Sequence, residues 1–273
     1  MRAINQSANW WGWHWQPPVP MSIAEIVAAG SMSARLAALF WIAMERGASL
    51  IVAADPPSAG KTTTLTALLS LTPPETMVYF TRGMGEPFEL PAPSPSYRTY
   101  LLVNEMSDHL PVYTWDEYAR RAFDLMSQGY SLATTMHADS VEGVLGQLEG
   151  NLGVPRSQIA RLTFIVPLHL SYGGSMRRRV QEVAFLQPNG DGFEMRRIAR
   201  WDSGSDGFEV LADGPQAEAF ARWAGLSREE LEAELGRREG FLEGLLRAGT
   251  TSIPEVNAAI EGFYAEIRGR RAT

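Results

Sequence analysis

The chain has 273 residues, of which 45% are hydrophobic and 20% charged, with a formal net charge of -7 and no cysteine. That length is enough for one large domain or two modest ones around a sizeable core. The acidic balance argues against nucleic acid as a partner, and the lack of cysteine excludes disulfides, thiolate metal sites and cysteine nucleophiles.

Residues 1–20 read as a Trp- and Pro-rich arm, with Trp10, Trp11, Trp13 and Trp15 beside Pro17 and Pro18. Either its indoles pack over the domain, or the arm docks a partner or stacks on bases. It lacks the pattern of a signal peptide. The best apolar run, Leu36 to Met44, is about half of the roughly 20 residues that a bilayer needs, so a cytoplasmic protein is expected. Ser22 can cap a first helix ending at Gly30. A second runs from about Ser33 to Gly47 with Leu36, Leu39, Phe40 and Met44 at helical spacing.

The stretch from Ser49 to Leu71, SLIVAADPPSAGKTTTLTALLSL, reads as a β-rich run, a Pro-rich turn and a helix carrying Leu65, Leu68 and Leu69 on one face. Its turn ends as a phosphate-binding loop does. In such loops successive backbone N–H groups and a helix N-terminus surround an anion, lysine adds charge and a hydroxyl holds magnesium. Ser58, Ala59, Gly60, Lys61, Thr62 and Thr63 are therefore candidate nucleotide-binding residues. Asp55 stands where the motif has its first glycine. A carboxylate facing the phosphates there would oppose binding, and a non-glycine residue could strain the turn.

Met77 to Thr81 and Thr99 to Asn104 read as buried strands on either side of a loop-like stretch rich in Pro, Gly and Ser. Glu105 ends the second of them, where a carboxylate in phosphate-loop enzymes holds magnesium or polarises water. Thr114 and Glu117 spell a capping box for a helix closed by Gly129. His137 then follows the strand of YSLATTMHADS; a lone histidine is ordinarily structural, and His14, His109 and His169 are scattered in the sequence. Alternating strands and helices up to about Glu149 predict a parallel sheet with helices on both faces. Beyond it lie three strands joined by GGS and PNGDG, both hairpin-type turns, and Arg177, Arg178 and Arg179 in one of them read as a solvated face. From Gln216 the chain reads as helical, with capping boxes at Ser227–Glu230 and Ser252–Glu255.

Taken together, these segments resemble the motor domain of the ATPases of type II and type IV secretion and pilus assembly, in the Tad-like and archaeal pilus branch. ADPPSAGKTTTLTALLSL is similar to the family's Walker A segment, LLVNEMSD to its Walker B, ATTMHADS to its histidine box and GEPFEL to a degenerate acidic box. GSMRRRVQEVAFL and RREGFLEGLLRAGTTSIPEVNAAIEGFY resemble the branch's later strand pair and helical tail, so the likeness runs through most of the chain from about Met21. The resemblance implies an α/β P-loop NTPase fold: a RecA-like parallel sheet flanked by helices over 21–212, including an antiparallel β extension, and a C-terminal helical region over 213–273.

It further implies a hexameric Mg-dependent ATPase that couples hydrolysis to assembly or transport. Such a protein would sit in the cytoplasm or peripherally at the inner face of the membrane, against a membrane-embedded platform protein. ATP and Mg2+ are the implied ligands. Glu105 maps to the catalytic glutamate and, with Thr62, to the magnesium site; Asp108 maps to the downstream acid. His137 maps to the nucleotide-sensing histidine and Glu86 to the acidic-box carboxylate. The family's stretch between acidic box and Walker B is longer and carries arginines that reach a neighbouring subunit's phosphates. Arg98 alone remains in PAPSPSYRTY as a candidate phosphate contact, and the family's N-terminal covering domain is expected to be missing. These departures, with Asp55, imply slow hydrolysis, or a catalytically weak nucleotide-binding paralogue that serves as a regulatory or assembly subunit.

Overall fold

The computed structural model describes residues 1–5, 20–173 and 175–272, so the Trp-rich arm lies almost wholly outside the described residues. The fold is mixed α/β, with a mostly parallel sheet. Its centre is β2 (Leu50–Ala53), flanked in parallel by β5 (Ser131–Met136) and β6 (Phe164–Gly173). Beyond β5 follow β4 (Thr99–Met106), β3 (Met77–Phe80) and the two-residue β1 (Arg2–Ala3), all parallel. On the other flank β8 (Glu182–Asn189), β9 (Gly192–Asp202) and β10 (Gly207–Val210) continue the sheet antiparallel.

The inner parallel strands β2, β4 and β5 are buried along their whole length because the sheet is covered on both sides there, as parallel sheets usually are. Side chains alternate across a strand. Leu50, Val52, Leu102 and Val166 thus join one core with α1 (Ile23–Ala28), α2 (Ala34–Glu45), α3 (Lys61–Leu69), α7 (Gly214–Ala224), α8 (Arg228–Arg247) and α9 (Ile253–Ala272). Ile51, Leu101, Leu132 and Ile165 face the opposite way, against α4 (Asp116–Ser127), α5 (Val141–Gly146), a π-helical turn over Gln147–Asn151 and α6 (Arg156–Ile159).

The last helices share the core of the sheet. The Trp41 indole donates to the Tyr264 hydroxyl at 3.1 Å, which itself donates to the Leu71 carbonyl at 2.6 Å. Arg238, 2% exposed, pairs with Glu45 of α2 and with Glu234 one turn away on α8. Removing one member of such a buried pair leaves an uncompensated charge, at a cost of about 3–5 kcal/mol.

Several local expectations need correcting. The capping boxes at Ser22–Glu25 and Ser227–Glu230 are formed, but Thr114 caps nothing. It is fully buried, its hydroxyl lies 3.2 Å from that of Thr81, and its N–H donates to the Glu105 carbonyl, while Trp115 takes the cap position without a side-chain bond. The second of the three later strands is also more divided than expected. The return strand along β6 breaks at Gln181 into β7 (Ser175–Val180) and β8, and β10 adds a strand that lacked a strong pattern.

Candidate functional site

Three adjacent strands in the order β4, β5, β2 deliver Glu105, His137 and the loop 54–60 at their carboxyl ends, the edge where open α/β sheets bind ligands. β2 leads into the loop 54–60, which turns at Ser58 (φ 62) and Gly60 (φ 92) and launches α3. Both residues sit in the left-handed region, which turns successive N–H groups to one side. No side chain caps α3, so the N–H groups of its first turn have no intrahelical acceptor. A Cβ on Gly60 would come 3.0 Å from the Arg178 side chain, which can give way, so it is the φ that favours glycine there. Asp55 is exposed and lies outside the left-handed region, so the strain anticipated at this position falls on Ser58 instead.

Lys61 and Glu105 are buried, at 8% and 5% exposure. The Lys61 ammonium donates to the Ala54 carbonyl at 3.2 Å and lies 3.8 Å from Glu105 Oε2. Burial pulls the Lys61 pKa below the ordinary lysine value, against the opposing pull of Glu105 and Asp55. Glu105 owes its aim to an irregularity in β4. The pairing register with β5 shifts between Val103 and Met106, so that Met106 faces the same core as Leu101 and Val103. A bulge of this kind re-aims side chains and is common beside functional sites.

His137, just past β5, places Nε2 3.0 Å from Glu105 Oε1 and Nδ1 3.2 Å from the Asp55 carbonyl oxygen. Its own carbonyl accepts from Gln147 Nε2 at 2.5 Å, which ties the residue to the π-helical turn. The hydrogen-bonded Glu105 carboxylate raises the His137 pKa above the ordinary histidine value, with burial and Lys61 acting the other way. The Lys61 ammonium lies 3.4 and 3.5 Å from the two ring nitrogens. Being nearly equidistant, it points along neither lone pair.

The structure thus brings together Lys61, Glu105 and His137, with Thr62 and Thr63 half-exposed in the first turn of α3 beside them. Glu86 belongs to a different network. Its Oε1 accepts from the Tyr79 hydroxyl at 2.7 Å and the Phe88 N–H at 2.8 Å, and its Oε2 from the Arg82 N–H at 2.5 Å. Arg98 lies at the wrong end of the sheet to reach the loop of its own chain. It precedes β4 and covers Gly47 ahead of β2, whereas Glu105 and the loop sit past the opposite ends of these parallel strands. Seven residue steps along β4 separate Arg98 from Glu105, roughly 23 Å at about 3.3 Å per residue.

An arginine does reach the loop, from an unexpected quarter. β6 pairs with β2 only over Phe164–Pro167; its remainder, with β7, forms a hairpin that overshoots the sheet edge. From β7, Arg178 Nε donates to the Ser58 carbonyl at 2.9 Å. Arg179 is buried and forms a two-pronged pair with Asp206, both bonds 2.8 Å, so the basic run is not a plain solvated face. The sequence signal was the run itself, the densest of its kind in the chain. His109, set aside as scattered, also comes close: its ring centroid lies 5.4 Å from that of His137. Asp108 is exposed beside it, 3.8 Å from His109 Nε2.

No protein-family model matches the chain. It is 26% identical over 254 residues to the uncharacterized protein MJ1287 of Methanocaldococcus jannaschii, covering 82% of this chain and 91% of that protein. It is 24% identical over 275 residues to the uncharacterized protein MJ0900 of the same organism, covering 90% of this chain but spanning about half (49%) of that relative. Among solved structures, the Legionella pneumophila ATPase DotB superposes with a TM-score of 0.32 and 11% identity, over 96% of this chain and 67% of DotB. Among the described residues no helix is long and apolar enough to cross a membrane.

Proposed function

We propose that the chain binds Mg-ATP and hydrolyses it slowly, as a motor protein of the type II/IV secretion or pilus-assembly kind. The observation that carries this reading is the convergence of Lys61, Glu105 and His137, from three neighbouring elements, at the mouth of the uncapped, glycine-turned loop. Loop N–H groups from Ser58 to Thr63 receive the phosphates, and Lys61 neutralises their charge. Glu105, aimed by its bulge, accepts a proton from the attacking water, and His137 links that carboxylate to the loop through the Asp55 carbonyl. The Thr62 hydroxyl and Glu105 carboxylate are the hard oxygen donors that magnesium prefers, and they would hold it. Bound there, it would neutralise charge on the transferring phosphoryl group.

Arg178 holds the loop's outward carbonyl so that its N–H groups stay turned inward. Oligomerisation as a hexamer, docking on a membrane-embedded platform and a place at the inner membrane face belong to the same proposal, with no role for nucleic acid. The weaker-paralogue reading is favoured by one observation: Arg98, the candidate finger, is remote from the loop of its own chain and could serve only a neighbouring subunit, so an isolated chain is without it. An arginine finger is worth about 10³–10⁵ in rate where one is used. Phosphate release at saturating Mg-ATP separates the two readings. Turnover above a Lys61→Ala blank, abolished in Glu105→Gln, supports the motor; none above the blank, even in an assembled oligomer, supports the regulatory subunit.

A further inference from the structure

We propose that Glu105, His109 and His137 form a binding site for one divalent transition-metal ion of the zinc or cobalt class. Each of the three offers a ligand atom, and these atoms all lie within 4.8 Å of one another. Two imidazole nitrogens and one carboxylate oxygen are a donor set that suits zinc and cobalt, whereas magnesium and calcium favour oxygen.

The orientation of His137 is the strongest evidence. Its Nδ1 faces a carbonyl oxygen, Asp55 O at 3.2 Å, and a carbonyl only accepts. Nδ1 is therefore the donor, and in the neutral ring the Nε2 lone pair faces Glu105 Oε1 at 3.0 Å. Two acceptors at that distance call for positive charge, and a proton or a metal ion between them would supply it more directly than the Lys61 ammonium, 3.5 Å from Nε2. A ligating histidine usually donates its other ring N–H to a carbonyl or carboxylate, and Asp55 already fills that role. Gln147, bonded to the His137 carbonyl at 2.5 Å, fixes the backbone behind it.

His109 supplies the third donor from the loop after β4, where its N–H donates to Ser107 Oγ at 3.2 Å. Its side chain is 63% exposed and can swing. Closure is needed, since metal–ligand bonds of about 2.0–2.2 Å put neighbouring ligand atoms roughly 3–3.5 Å apart. Lys61 opposes the ion at close range, its ammonium 3.8 Å from Glu105 Oε2 and 3.5 Å from His137 Nε2. The metal and the lysine therefore compete for one carboxylate. If the nucleotide reading also holds, a bound zinc ion removes Glu105 from catalysis and inhibits turnover.

The test uses the full chain, stripped with a chelator, dialysed and titrated with Co2+ while its visible absorption is followed; Zn2+ is titrated calorimetrically in parallel, without nucleotide. The expected result is saturable binding of one ion per chain in the sub-millimolar range. His109→Ala, at an exposed position that spares the core, should weaken it at least about tenfold, as should His137→Ala. Lys61→Ala should tighten it by removing a like charge. No saturable binding, or binding undiminished by His109→Ala, overturns the proposal. Because ATP is absent, failure of the nucleotide reading leaves this result unaffected, and the reverse also holds.

Discussion

Two buried carboxylates lie near the ends of adjacent strands, Glu86 after β3 and Glu105 in β4, and they are built for different tasks. Glu86 takes three neutral donors from within ten residues of chain, Tyr79 to Phe88, and closes its own loop with them. Glu105 is held by a bulge and faces an ammonium and an imidazole from two other elements, both able to shift or exchange partners. A carboxylate satisfied by local backbone serves the fold. One faced by ionisable groups from distant segments is the kind that functional sites hold, and the proposed function rests on it.

That contrast breaks if the two residues respond alike to substitution. The largest effect should come from Glu105→Gln, which keeps shape and removes the base: phosphate release should fall about 10²–10⁴-fold, with ATP affinity retained. Glu86→Gln should do the opposite. It sets an amide donor among the donors of its loop, and urea unfolding should show a loss of about 2 kcal/mol, with turnover per folded molecule retained. Equal losses of turnover in both variants would erase the distinction and return Glu86 to the catalytic role that the acidic-box resemblance assigns it.

Arg178→Ala sharpens the comparison from the loop side. Losing the partly exposed charge-assisted bond to the Ser58 carbonyl should weaken Mg-ATP by roughly 1 kcal/mol, about fivefold in Kd by calorimetry. The smallest effect concerns His137 in chelator-treated protein. Its folded pKa is raised above the reference value of 6.5, chiefly by Glu105. The pair's contribution to stability is then complete below about pH 6.5 and is lost as pH rises through the raised folded value. Thermal melts across this window should show that decline, and Glu105→Gln should flatten it.

Much of this architecture is legible in the chain. The apolar runs of β2, β4 and β5, the glycine-lysine-threonine turn, the Ser22 cap and the Ser227 box are local signals, and local physics realises them. What escaped depends on long-range register. The bulge at Glu105 exists only because β4 pairs with β5, and Arg178 meets Ser58, 120 residues away, only because the β6–β7 hairpin outruns β2. Thr114 spells a cap, but its burial against Thr81 and the Glu105 carbonyl overrides the local preference. His109 and His137 are far apart in sequence and meet because β4 and β5 end side by side.

The central claim is that the loop from Ser58 to Thr63 with Lys61 receives Mg-ATP, and isothermal calorimetry tests it most directly. Wild-type protein should bind Mg-ATP saturably, and Lys61→Ala, folded by circular dichroism, should show no heat of binding at the same concentrations. No binding by the wild type at millimolar ligand, or equal binding by Lys61→Ala, would contradict it.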